Sequence, residues 1–260
     1  PNLYFVNKED LIDYLVANKD TLIAQKKAHT KYADAVGGPV SLITEKGEAI
    51  KTESVPANVT KIKVRSIINT TKLLDSHGDV HIDQLWNKSL KENTDHHLVK
   101  QHQFDWENTI SDDVKAMTKQ VSWAELGFNY EGKTQALVFD SVISKEDSPM
   151  MFEKYRQGRV KQHSVGMQYV KTALAVNDDR YEEEKKLWDK YYPEIANKET
   201  AMEQGFFWAV TEAKIIEGSA VKMGSNFATP TYSVEEKTEP LQDTLDEPLK
   251  DTQPKLNVNE

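Results

Sequence analysis

The sequence predicts a mixed helix-and-strand domain with several non-local strands, spanning about residues 60 to 230. Three observations carry this. Runs rich in β-branched and aromatic residues recur at 61–68, 135–143, 160–170 and 209–221, far apart in the chain. Between the second and third runs, Asp147 to Gly158 reads as a short helix ended by glycine. Polarity is concentrated at the ends: between 231 and 260, eight acidic residues stand against three lysines, which accounts for more than half of the net −9 of the chain.

Taken in order, Asn7 is a plausible N-cap with Asp10 three residues on, and Leu11, Ile12, Leu15, Val16, Leu22 and Ile23 recur at helical spacing. This predicts one amphipathic helix running to about Ala35 and stopped by Gly37, Gly38 and Pro39. A polar linker over 44–59 carrying Pro56 follows, so 1–60 reads as helix plus linker. The stretch 177–204, dense in Glu, Lys and Tyr and broken at Pro193, reads as an exposed helical or hairpin insertion. After Tyr232 there is no aromatic, and Pro240, Pro248 and Pro254 punctuate an acidic run. The residues from 233 to 260 therefore read as a flexible tail that cannot offset its ordering entropy.

Composition excludes several classes. The 260 residues contain no cysteine, which removes disulfide scaffolds, thiolate zinc sites and cysteine nucleophiles. A surplus of acid, 42 against 33 basic residues, argues against coating nucleic acid. No run approaches the length of a membrane span, and the start lacks the pattern of a secretory signal. Pro1 fits either a removed initiator Met or a fragment.

Five of seven histidines fall within a short interval: His77, His81, His96, His97 and His102. One reading makes His77, Asp79 and His81, with a partner from the later group, a metal site for a metal-dependent hydrolase. Against it, Gly78-Asp79 favours a turn over a helix, and adjacent His96 and His97 point apart in any regular structure. A second reading starts from Ser164, in the strand-like run Lys161-Gln-His-Ser-Val-Gly-Met167. The glycine two residues later lets a backbone or a substrate come close. A serine needs a base, and His102 in Gln101-His-Gln-Phe-Asp-Trp106 is the candidate. Glu217 is a carboxylate embedded in an apolar strand, where it would be costly unless paired, as an imidazole-orienting group is. His163, adjacent to the serine, should face the other side of its strand.

Four blocks in order carry a resemblance. They are Asp75-Ser-His-Gly-Asp-Val80 with Leu85-Trp-Asn-Lys-Ser-Leu90; Gln101-His102 with Trp106 and Thr109-Ile110; Phe152-Glu-Lys-Tyr-Arg-Gln-Gly158 leading into His163-Ser164-Val165-Gly166; and Val210 to Val221 with Asn226 and Pro230. Over about residues 62–232 the chain resembles the prohead maturation serine proteases of tailed phages, relatives of herpesvirus assemblin. It departs from their pattern at Ser111, where they carry glycine, and at His163, where they carry leucine.

The resemblance implies an α+β fold: a compact, mostly antiparallel β-barrel-like sheet surrounded by helices, with residues 61–232 as the catalytic domain. It implies a serine endopeptidase with Ser164 as nucleophile, His102 as base and Glu217 as orienting acid. Assemblin-type relatives place a second histidine at the third position, and Asp79 or Asp140 are the fallbacks here. The oxyanion donors are expected around Val165 and Gly166. The implied partners are viral scaffold and major capsid protein precursors, inside a procapsid in the host cytoplasm. Self-cleavage at the ends and homo-oligomer formation are further implications, with no cofactor or metal. The rival expectation is a non-catalytic scaffold or capsid-associated protein that keeps the same fold.

Overall fold

The computed structural model describes residues 5–32 and 59–237. Its elements in order are α1 (Lys8–Ala17), α2 (Lys19–Ala28), β1 (Lys31–Tyr32), β2 (Lys61–Thr70), β3 (Asp79–His81), α3 (Asn87–Glu92), β4 (Leu98–Lys100), β5 (Thr109–Ser111), β6 (Val114–Ser122) and β7 (Lys133–Ser144). There follow α4 (Pro149–Arg156), β8 (Gln162–Val176), α5 (Glu182–Tyr191), a 3₁₀ turn over Tyr192–Glu194, α6 (Lys198–Gln204), β9 (Phe206–Val221) and β10 (Thr231–Lys237). The fold is α+β with mostly antiparallel sheets. Among the described residues no helix is long and apolar enough to cross a membrane.

Two sheets form. One has the order β1-β8-β9-β4-β5, with β3 also pairing β9, and the other has the order β10-β2-β7-β6. They pack on each other through Ile62, Val64, Ile68, Leu137 and Phe139 of the smaller sheet and Val165, Met167 and Ile215 of the larger, with Phe152 and Tyr155 of α4 joining the same core. Gly218 lets the sheets approach, because a Cβ there would meet the Phe139 ring at 2.6 Å.

The expected barrel-like single sheet is therefore corrected. A barrel needs hydrogen bonding to run unbroken from the last strand to the first. Here the ladders end at β1 and β5 in one sheet and at β10 and β6 in the other.

Three further expectations change. The N-terminal helix does not run to about Ala35. Asn18 ends α1, its side-chain amide donating to the Tyr14 carbonyl at 2.8 Å, and α2 stops at His29, which is extended. The chain then adds β1 to the edge of β8. Ile12 and Leu15 of α1 pack on Leu174, Val176 and Trp208, so this helix is covered by its own chain. The stretch 177–204 is not wholly exposed: Trp188, Ile195 and Ala201 are buried against Val80, Phe207 and Ala209. Residues 233–237, expected to belong to the acidic tail, are part of β10 on β2, with Val234 against the core and Glu235 exposed. Thr231, Tyr232 and Val234 suit an edge strand, and the charges on it discourage further pairing. The remaining tail, 238–260, and most of the linker lie outside the described residues.

Candidate active site

The site is built across β8 and β9. Ser164 lies opposite Ser219, and Gly166 opposite Glu217. Alternation puts these four positions on one face of the sheet, while Val165 and Gly218 face the core between the sheets. Glu217 is fully buried, and its carboxylate lies over Gly166, where a Cβ would overlap it. The glycine two residues after the serine is thus required by a carboxylate, not by a backbone or a substrate.

His102 reaches the same face from the other side. Strand β4 runs parallel to β9, with Val99 opposite Ser219 and Lys100 opposite Ala220. After Lys100 the chain turns sharply: Gln103 N–H donates to the Lys100 carbonyl at 3.0 Å, and Gln101 N–H to that of Ala220 at 3.1 Å. Gln101 and His102 both adopt left-handed backbone, at φ 50° and 58°. Two consecutive non-glycine residues in that region cost on the order of 1–3 kcal/mol each, and persist only where the surroundings impose them.

The turn folds His102 back over β9. Its N–H donates to Ser219 Oγ at 2.9 Å and its ring Nδ1 lies 2.6 Å from Glu217 Oε1. Ser219 Oγ in turn donates to Glu217 Oε2 at 2.8 Å. Both carboxylate oxygens are therefore engaged. An ionised carboxylate only accepts, so in a neutral ring Nδ1–H would donate to it and Nε2 would carry the lone pair.

Ser164 is 3% exposed and is the direct cross-strand neighbour of Ser219, the residue His102 rests upon. Such neighbours hold their Cβ atoms about 4.5–5.5 Å apart. All three residues expected to form the triad thus share one face of one sheet. Chemically, the pair Glu217–His102 is an imidazole held by a buried acid, on the face that also carries the buried Ser164.

His163 behaves as alternation requires and points away. Its Nε2 lies 2.9 Å from Tyr155 Oη, its ring stacks on that of Tyr155, and burial pushes its pKa down to about 4, against a hydrogen bond to Thr229. Its N–H donates to the Thr229 carbonyl at 3.0 Å, on the edge of β8 away from β9. By alternation the Val165 N–H faces that same outer edge and the Gly166 N–H faces β9. Of the two expected oxyanion donors, only the Val165 amide is directed outward.

The fallback acids are engaged elsewhere. Asp140 forms a two-pronged ion pair with Arg65 in the smaller sheet, both contacts at 2.6 Å. Asp79 is fully buried and takes Lys26 Nζ at 2.5 Å, Lys31 Nζ at 3.0 Å and Tyr169 Oη at 2.7 Å. Burial opposes its charge, yet the two ammonium groups prevail and hold the carboxyl below the usual range. Beside it Asp75 is pushed up to about 7, by burial first and then by the Asp79 charge.

The histidine cluster disperses. Asp75, His77 and Asp79 do offer ligand atoms within 4.8 Å of one another. A divalent ion there would compete with two ammonium groups for Asp79, and Asp75 already accepts the N–H groups of His77 and Asp79. His81 is 2.9 Å from the Asn69 amide, with its pKa pushed down to about 4 by burial. His96 packs on Phe139, and His97 pairs with Asp112 at 2.7 Å.

Ser219 is the residue that sequence reasoning missed. A serine two positions after a buried acid, in an apolar strand and on its face, was the available signal. In comparisons with known proteins, no family model, no curated protein and no solved structure matched the chain.

Proposed function

We propose that this chain is a serine endopeptidase of the prohead-maturation type, cutting scaffold and capsid precursor proteins inside a procapsid in the host cytoplasm. The observation that carries the reading is the chain of contacts Glu217–His102–Ser219 on the face that Ser164 shares. The part of the reading that names the substrates rests on the four sequence blocks.

In this mechanism Ser164 Oγ attacks the scissile carbonyl while His102 Nε2 takes its proton. Glu217 steadies the imidazolium through Nδ1. The developing oxyanion takes the Val165 N–H, the outward-facing amide of the strand. His102 then gives its proton to the leaving amine, and a water activated by the same imidazole hydrolyses the acyl-enzyme. Ser219 acts on Glu217 and on the His102 backbone, and is a positioning residue.

The test is co-expression with candidate scaffold protein. Ser164→Ala should abolish scaffold cleavage and leave the melting temperature and circular dichroism unchanged. Undiminished processing by that variant would refute the assignment. Processing absent from the parent as well, together with no fluorophosphonate labelling of Ser164, would favour the non-catalytic capsid-associated protein.

A further inference from the structure

We propose that β1, pinned by Lys26 and Lys31 on Asp79, sits where an extended polypeptide must lie to reach Ser164, so that release of this latch governs access to the site. The inference rests on the protease reading and deepens it. Strand β8 has one edge taken by β9, and only its other edge can receive an added strand. That edge is taken at His163 by the Thr229 carbonyl and at Gly166 and Met167 by β1, antiparallel, with Lys31 opposite Met167 and Tyr32 opposite Gly166, so β1 holds the stretch that an added strand would use beyond Ser164. Gly166 is the residue beneath the Glu217 carboxylate and lies two positions from Ser164. A substrate strand on this edge would need the ladder positions that Lys31 and Tyr32 hold.

What keeps β1 in place is charge. Two residues of strand hold little by themselves. Helix α2, which leads into β1, has no buried residue, and its Leu22 and Ile23 are only partly covered. By contrast Asp79 is fully buried with both lysines on its two oxygens. Lys31 Nζ also lies 4.9 Å from the centre of the Tyr169 ring, and Lys26 Nζ 5.1 Å from that of Trp208. One backbone tie is added, from Gln168 Nε2 to the Lys27 carbonyl at 3.3 Å. A strand held by two cations on one carboxylate leaves when that one contact fails. An apolar strap would have to be peeled away residue by residue.

The absence of cysteine permits a reversible lock. Extending the β1–β8 register by one position sets Thr30 opposite Gln168, so a Thr30→Cys/Gln168→Cys chain can be closed and reopened, its reduced form carrying the same loss of the Gln168–Lys27 tie as its oxidised form. The oxidised form should hydrolyse fluorescein-labelled casein at least fivefold more slowly than the same protein reduced. Lys26→Gln/Lys31→Gln should hydrolyse it at least fivefold faster than the parent, with faster hydrogen exchange at the Met167 amide, which by alternation faces β1. Equal rates in the locked and reduced forms, or faster exchange without faster hydrolysis, would overturn the inference.

If no form shows Ser164-dependent hydrolysis, the protease reading fails separately. Binding of a labelled peptide of residues 26–32 then decides the question. Binding at least fivefold tighter to the double-Gln variant than to the parent sustains the occupied edge, and equal binding overturns it. Should the double-Gln variant not fold, the same peptide is compared on the reduced and oxidised lock. Tighter binding to the reduced form sustains the inference, and equal binding overturns it.

Discussion

Two carboxylates, Glu217 and Asp79, are both completely buried, and both pair with nitrogen. Their partners differ in kind. Glu217 faces an imidazole, a group with a second nitrogen that can act on another side chain, and a serine hydroxyl that fills its other oxygen. Asp79 faces two ammonium groups and a phenol, all of which donate to it. The first arrangement is suited to chemistry and the second to anchoring. A buried acid is therefore uninformative until its partner is known.

The largest expected effects separate the two acids directly. On the proposed mechanism, Glu217→Gln should lower kcat for scaffold cleavage by on the order of 10³–10⁴, as loss of the orienting acid does in serine-protease triads, while the unfolding midpoint changes little. Asp79→Ala should do the reverse. Stranding two partly buried ammonium groups costs about 3 kcal/mol in chemical denaturation. Any activity change should come through the arm rather than the chemistry. If Glu217→Gln lost stability and kept its rate, the contrast would collapse.

Gly166→Ala comes next, since its Cβ would occupy the space of the Glu217 carboxylate. It should cost about 1–3 kcal/mol in urea unfolding and reduce cleavage together with stability, because the acid must move off Nδ1.

The pH dependence of stability sharpens the contrast among histidines. The pKa values of His163 and His81 lie at about 4 in the folded protein, below the ordinary 6.5. Between those values the unfolded chain binds more protons, so stability rises with pH from about 4 to 6.5. Each ring contributes on the order of 3 kcal/mol over that window. Asp75 works the other way: its raised value means that stability falls as pH climbs from 3.8 to about 7. Replacing His163 by Gln should therefore flatten the acid-side slope in unfolding titrations, and an unchanged slope would contradict its buried neutral state.

The smallest effect is expected at Asp140→Asn. Its pair with Arg65 is partly exposed, so about 0–1 kcal/mol is at stake, and cleavage should be unchanged. A large loss of cleavage would return Asp140 to the list of candidate acids.

Much of this was readable along the chain. The four strand runs, the helix ended by Gly158 and the opposite-facing His163 follow from periodicities that neighbouring residues impose on one another. The short strands β3, β4 and β5 were not readable: three residues carry no period, and their pairing is decided by the strand they meet. The helical stretch over 177–204 looked exposed because its charges outnumber the few residues, such as Trp188, that bury it.

For the site, the sequence alone determined which residue types could act: a serine in an apolar strand, a histidine in a loop, and an acid that must be paired because it is embedded among apolar residues. Only the tertiary structure decided which acid meets which base. His102 and Glu217 lie 115 positions apart, and Lys26 and Asp79 lie 53 apart. Their meeting depends on β4 running parallel beside β9 and on β1 closing the edge of β8. Local propensity extends over a few residues, whereas the partner of a buried charge is set by which strands pair.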